Sequence, residues 1–426
     1  MKHLYTLVLA LLLCMPCMSQ NNFVKVNKSG QFTLQGKPYY YVGTNFWYGA
    51  ILGSKGQGGN RTRLLAELDK MHALGLNNLR ILVGADGKNG IASKIEPTLQ
   101  TAPGVYNDTI LDGLDYLLLQ MKKRHMKAVL YLNNAWEWTG GYSQYLAWVK
   151  HDTAPVPAIQ GWPTYMNYVK EYVFNDSAQA LFTHHVKFIL HRTNRYTHCK
   201  YIDDPTIMTW QIANEPRAFS NEGKAPFKKW LRSVSALIKS IDKNHLVTTG
   251  SEGSHGCEDD YQLFEDIHAD PNIDYLCMHL WPYNWGWVDK TTLLKNLSLA
   301  EKNTEDYVNR QVDVAKKLNK PIVMEEYGYP RDGFSFERTS KTTARDEYYR
   351  FVYSLLGKSK IAGGNFAGCN FWGWGGLAKP IHESWKSGDD YCGDPAQEQQ
   401  GLNSVFSTDT STLKVIKEAV SRYLKK

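Results

Sequence analysis

Two rhythms alternate along this chain. Short apolar runs rich in β-branched and aromatic residues recur at 38–43 (PYYYVG), 78–83 (NLRILV), 128–132 (AVLYL), 207–213, 246–249, 275–280 (YLCMHL), 321–326 (PIVMEE) and 364–372 (GNFAGCNFW). Each has the length and composition of a strand. Between them the apolar spacing lengthens to three and four, the helical period. Leu64, Leu68 and Met71 precede a stop at Gly75, and Leu111, Leu114, Leu118 and Met121 mark a helix over 109–125. The same period predicts helices over 178–195, 227–241, 301–318, 344–356 and 413–424, with a weak signal after the fifth strand. Strands that alternate with helices at this spacing pair in parallel through crossovers. Eight such units close into a single (β/α)8 TIM barrel, an α/β fold, here with long βα loops. No Pro/Ser-rich linker or change of composition divides the chain, so residues 20–426 are expected to form one catalytic domain.

A barrel gathers the ends of its strands at one face, and chemistry is expected there. The fourth strand lies in TIMTWQIANEPR (206–217), an apolar run that stops at Asn214, Glu215 and Pro216. Proline restricts its predecessor, so Glu215 is expected in an extended conformation at the rim. The other strand ends supply Trp47, Arg80, Asn134 and Trp136, Glu252, His279 and Trp281, Glu325 and Glu326, and Trp372. Each alone has an ordinary structural use: a Glu as a cap, Arg80 in an ion pair, His279 in a core hydrogen bond, a Trp in packing. Their recurrence at the same relative place in several units is what points to a site. Two carboxylates among indoles suit glycosidic bond cleavage. One carboxyl is held protonated for the leaving oxygen, while the other stays ionised to attack the anomeric carbon. Arg80 would keep its neighbour charged by Coulomb attraction. Tryptophan faces match the apolar faces of pyranose rings.

Composition narrows the choice of partners. Hydrophobic residues at 43% and charged residues at 21% are ordinary for a globular chain, but 13% aromatic, with 13 Trp and 26 Tyr, is not. Trp is seldom completely buried, so this many suggest flat ligand surfaces. The net charge of +7 is dispersed, with no Lys/Arg block, and nucleic acid is not an expected partner. The glycines of 53–59 fit neither a P-loop nor a dinucleotide fingerprint. There is no H-E-x-x-H and the 13 histidines show no ligand spacing, so neither metal nor cofactor is expected. Lys2 and His3, an apolar run from Leu4 to Leu13 and the small residues Cys17 and Ser19 read as a signal peptide, 1–19. A lipoprotein anchor at Cys17 competes, but Pro16 fits it poorly. Export to the periplasm or the medium follows. No later segment is long and apolar enough to span a membrane, and a monomer is expected. Cys199, Cys257, Cys277, Cys369 and Cys392 form no C-x-x-C pair. That excludes a zinc ribbon and argues against a dense disulfide framework; one bridge can form in an oxidising compartment, and the sequence does not pair it.

The strings GTNFWYG, LRI, LNNAWEWTGG, QIANEPR, HLWPYNWGW and EEYGYPRD extend from about Tyr40 to Trp374. With NEP after the fourth strand and Glu-aromatic-Gly after the seventh, they resemble glycoside hydrolase family 5, within the clan of retaining barrel glycosidases. The likeness is strongest to its endo-β-1,4-mannanases. It implies hydrolysis of β-1,4-mannosidic linkages in mannan or manno-oligosaccharides with retention. Carried over, it makes Glu215 the general acid/base and Glu326 the nucleophile. Asn214 would bond the sugar 2-hydroxyl, axial in mannose; Arg80 would orient the nucleophile, His279 would line the site and Trp372 would form its floor. Trp47, Asn134, Trp136 and Trp281 complete the expected substrate-binding set. Glu325 competes for the nucleophile's role. Adjacent strand residues point to opposite faces, so one of the two reaches the centre, and the family pattern selects Glu326. One departure is evident: relatives often carry Tyr two residues after the His, where this chain has Trp281. An indole can only donate, through its N–H.

Three rival readings remain at this stage: an exo-acting β-mannosidase, a β-glucanase on the same barrel, and a non-catalytic glycan-binding protein. The insert 138–175 and the loop 379–402 would wall one end of a groove. They decide whether chain interiors or chain ends are attacked.

Overall fold

The computed structural model describes residues 22–424; the expected signal peptide, 1–19, lies outside them. The eight apolar runs become eight parallel strands: β1 (Tyr41–Asn45), β2 (Asn78–Leu82), β3 (Lys127–Tyr131), β4 (Ile207–Gln211), β5 (Leu246–Thr248), β6 (Leu276–Leu280), β7 (Ile322–Tyr327) and β8 (Phe366–Phe371). Every strand residue is buried, which is why the runs read as continuous rather than alternating. Their order in the sheet, β5-β4-β3-β2-β1-β8-β7-β6, follows the chain round a ring. Where β5 meets β6 the ladder is too short to count as pairing, yet Asp274 N donates to Val247 O and Thr248 Oγ1 to Tyr275 O, each at 2.8 Å. The sheet is thereby nearly closed into the expected barrel.

Helices α1 (Arg61–Leu74), α2 (Asp108–Lys123), α3 (Asp176–Leu190), α4 (Lys224–Ile241), α5 (Tyr261–His268), α6 (Leu297–Leu318), α7 (Thr343–Ile361) and α8 (Thr410–Ala419) follow the strands in turn. Gly75 ends α1 with φ 84°, the left-handed cap anticipated from the sequence. The weak fifth signal is a real helix, α5, N-capped by the Asp260 side chain; two turns are too few for the period to stand out. α3 stops at Leu190 rather than 195. Arg192 turns aside there to form a two-pronged ion pair with buried Asp115, at 2.9 and 2.6 Å.

Two features were not anticipated. A small antiparallel sheet (Lys25–Val26, Phe32–Leu34, Lys37–Pro38) covers the far end of the barrel, Phe32 meeting Tyr275 edge-on at 5.1 Å. The insert between β3 and α3 contains the helices Gly141–Lys150, Pro157–Gln160 and Trp162–Val169. Cys257, Cys277, Cys369 and Cys392 are buried free thiols.

Candidate active site

Arg80, on β2, is buried in the barrel mouth and aims its fork upward. Nε donates to Gln211 at 2.8 Å, Nη1 to Asn45 at 3.1 Å and to Glu326 Oε1 at 2.5 Å, and Nη2 to Asn214 Oδ1 at 2.7 Å. The guanidinium plane lies 4.5 Å over the Tyr131 ring. Four separate side chains fix this cation, so its position does not depend on any one of them.

Glu215 reaches the rim by a sharper turn than expected. Its φ is +47°, left-handed rather than extended. The proline after it does keep it out of the right-handed helical region, but the backbone escapes the other way. Such a conformation costs about 1–3 kcal/mol in a non-glycine residue. Glu215 N donates to Gly250 O at 3.0 Å, and Gly250 itself has φ +82°, with an added Cβ falling 1.8 Å from Ala213 O. Glycine is required there, and it anchors the turn. The Glu215 carboxylate then accepts from His279 Nδ1 at 2.8 Å and Trp136 Nε1 at 2.5 Å.

On β7, Glu325 and Glu326 do not face opposite ways. Met278 pairs with Met324 but His279 pairs with Glu326, so Glu325 is the extra residue of a bulge. A bulge re-aims its side chains, and both carboxylates turn toward Arg80, Glu326 at 2.5 Å and Glu325 at 3.9 Å. They differ in depth. Glu325 is held below by Gln211 and by Tyr275 at 3.2 Å, whereas Glu326 lines the open pocket. Trp281 Nε1 donates to Glu326 Oε2 at 3.2 Å. The indole thus supplies the hydrogen bond that a phenol would give. The Gly of the Glu-aromatic-Gly pattern makes room for it: a Cβ on Gly328 would stand 2.6 Å from the Trp281 ring.

One ligand atom each from Glu215, His279 and Glu326 lie within 4.8 Å of one another. That spacing could hold a cation, but Arg80 already supplies positive charge to Glu326. Burial raises the Glu326 carboxyl to about 7, with Glu215's charge adding to it, against the pull of His279 and Arg80. Burial pushes Glu215 the same way, but the hydrogen bond and charge of His279 outweigh it and hold the carboxyl below its usual value. Burial works against the His279 imidazolium, yet Glu326, Glu215 and Glu325 around it raise it to about 9. Groups this close share protons, so the step near 7 belongs to the Glu215–Glu326 pair rather than to either residue.

Above the pair opens a pocket of about 510 Å³. Of the residues singled out from sequence, Trp136, Asn214, Glu215, Glu252, Trp281, Glu326 and Trp372 line it. Arg80 and His279 lie just beneath, bonded to its carboxylates. Two of the expected set do not line it. Trp47 is buried, donates to Gly393 O at 2.9 Å and braces Trp138 edge-on at 5.5 Å. Asn134 is also buried and positions Asn214 Nδ2 and Trp136 N at 3.1 and 3.0 Å. Both support lining residues and do not face the pocket themselves. Sequence reading missed Trp138, Trp162 and Met166 from the insert, and Gln397 and Glu398 from the loop before β8's helix. Gln397 Oε1 and Glu398 Oε2 are buried without partners. Burial and the charges of Asp394, Glu326 and Glu215 push the Glu398 carboxyl well above its usual range. Arg217, next to the NEP turn, pairs with Glu252 at 2.5 Å and packs 5.4 Å from the Trp136 ring.

The chain is similar to known proteins over nearly its whole length. Residues 21–426 match the family model described as GH family 5 beta-mannosidase-like. Mannan endo-1,4-beta-mannosidase 7 of Arabidopsis thaliana is 30% identical over 364 residues, 81% of this chain and 76% of its own. Mannan endo-1,4-beta-mannosidase 1 of Oryza sativa subsp. japonica is 28% identical over 410 residues, 92% of this chain and 86% of its own. The crystal structure of the glycoside hydrolase family 5 mannosidase from Rhizomucor miehei superposes with a TM-score of 0.89 at 33% identity, covering 96% of this chain and 99% of that one. The chain belongs to the β-mannosidase-like family within glycoside hydrolase family 5.

Proposed function

We propose that this enzyme hydrolyses β-1,4-mannosidic linkages in mannans and manno-oligosaccharides with retention, cutting within the chain as an endo-β-1,4-mannanase. The observation that carries the reading is the closeness of Glu215 and Glu326, with ligand atoms within 4.8 Å. Retaining pairs have carboxyl groups about 5–5.5 Å apart, and inverting pairs leave room for a water between them. Glu326 attacks the anomeric carbon. The reaction needs the pair's proton on Glu215 and Glu326 ionised; Arg80, which cannot give up its charge, favours that arrangement against the burial that raises Glu326. Glu215 hands that proton to the leaving oxygen, then takes one from the water that releases the glycosyl-enzyme. In this reading Asn214, held by Arg80 and Asn134, reads the axial 2-hydroxyl, and Trp372 carries the sugar at the cleaved bond. The names of the plant relatives support mannan as the substrate.

One observation favours a second reading, release of mannose from chain ends. Both the insert (Trp138, Trp162, Met166) and the loop 379–402 (Pro395, Gln397, Glu398) line the pocket, and walls on both sides suit a terminus. Time-resolved product analysis on mannohexaose and polymeric galactomannan separates the two. Endo action gives mixed lengths and an early fall in viscosity; mannose as the sole early product overturns it. Export through the segment 1–19, to the periplasm or the medium, and action as a monomer belong to the same proposal.

A further inference from the structure

The pocket has two aromatic sides. On one, Trp372 meets Trp281 edge-on at 6.1 Å, and Trp281 donates to Glu326. On the other, Trp136 donates to Glu215 and meets Trp162 edge-on at 5.7 Å and 87°. In a retaining reaction the departing chain leaves past the proton donor, so Trp162 lies toward the sugars beyond the cleaved bond.

Trp162 is the one solvent-exposed tryptophan among the described residues, at 49%. Leaving an indole in water forgoes much of its burial energy, and here the open ring borders a polar pocket. It is also firmly held. It opens the helix Trp162–Val169, with Pro163 fixing the first turn. Tyr165 packs edge-on against it at 5.9 Å and donates through its hydroxyl to Ala135 O at 2.6 Å, one residue before Trp136. The insert is thereby pinned to the backbone that aims Trp136 at Glu215. Met166, four residues on and so on the same helix face, also lines the pocket. A rigid apolar surface facing an aqueous cleft is pre-organised for a flat apolar ligand face.

Resting on the retaining β-mannoside reading above, we propose that Trp162 and Met166 form a platform for a pyranose ring on the leaving-group side, so that the insert reads chain length past the scission point. The test is steady-state kinetics of wild type, Trp162→Ala and Trp162→Phe on β-mannosyl fluoride, mannobiose, mannotriose and mannotetraose. Fluoride leaves without a sugar to stack. Wild-type kcat/KM is expected to rise with chain length. Trp162→Ala is expected to lose about 10-fold more on mannotetraose than on the fluoride, chiefly in KM, and Trp162→Phe to recover most of it. Equal losses on the two substrates would overturn the platform, as would a wild type that turns over the fluoride but shows no length dependence. A wild type inactive on all four would overturn the β-mannoside reading, and the platform with it.

Discussion

Trp281 Nε1 donates to Glu326 Oε2 at 3.2 Å, on the carboxylate edge opposite Arg80, which holds Oε1 at 2.5 Å. A position where relatives often carry a phenol therefore keeps its hydrogen bond through different chemistry. Hydrogen bonds to charged groups are worth about 1.5–3 kcal/mol. Trp281→Phe, which retains a ring and loses the donor, is predicted to lower kcat on manno-oligosaccharides about 10- to 100-fold. Trp281→Tyr should stay within a few-fold of wild type. Equal losses in both variants would show that ring shape, and not donation, matters at this position.

Arg80 is the hub beneath the pair, and its loss would leave Glu326, Gln211, Asn45 and Asn214 short of a donor. Breaking one partner of a buried ion pair costs about 3–5 kcal/mol. Arg80→Met is predicted to lose stability of that size in urea denaturation, together with nearly all activity. A variant as stable as wild type would mean that the neighbours compensate.

Glu215→Ala removes the proton donor and spares Glu326. General acid catalysis contributes about 10²–10⁴-fold, so kcat on mannotetraose should fall by that much. With 2,4-dinitrophenyl β-mannoside, whose leaving group needs no proton, formation of the glycosyl-enzyme should be nearly intact, and azide should restore turnover by replacing the activated water. Equal losses on both substrates would deny Glu215 this role.

The pH profile follows from the shared protons. kcat/KM is predicted to fall as pH rises through about 7, where the Glu215–Glu326 pair gives up its proton. His279→Asn removes a positive charge that lowers both carboxyls. The pair then holds its proton more tightly, and the alkaline limb moves to higher pH. Stability has its own sign. His279 is raised from 6.5 to about 9, so its contribution is complete below 6.5 and fades as pH climbs through 9. The difference in unfolding free energy between wild type and His279→Asn should narrow over that range. A limb that stays fixed or moves to lower pH would remove His279 from the coupled group.

The strands were legible because a sheet buried on both faces leaves uninterrupted apolar runs, and the site was legible because a barrel puts strand ends together. What was hidden depends on backbone detail. The bulge at Glu325 turns two neighbouring carboxylates inward, against strict alternation, and no side-chain pattern announces it. The left-handed turn at Glu215 rests on Gly250, 35 residues away in the chain. Helices such as Pro157–Gln160 and Trp162–Val169 are one or two turns long, broken at Gly161, and so too short for a period to emerge. Trp47 and Asn134 carry the right chemistry at the right strand ends but stand one layer behind Trp138 and Asn214. Gln397 and Glu398 lie in an irregular loop, where only the fold brings them to the pocket.

The most direct measurement is the trapping of the covalent intermediate with 2-deoxy-2-fluoro-β-mannosyl fluoride, followed by peptide mass spectrometry of the labelled enzyme. The prediction is a single fluoromannosyl ester on Glu326, absent from Glu326→Gln and still formed in Glu215→Ala. A label on Glu325, or no label while the enzyme turns over β-mannosides, would contradict a mechanism in which Glu326 attacks and Glu215 delivers the proton.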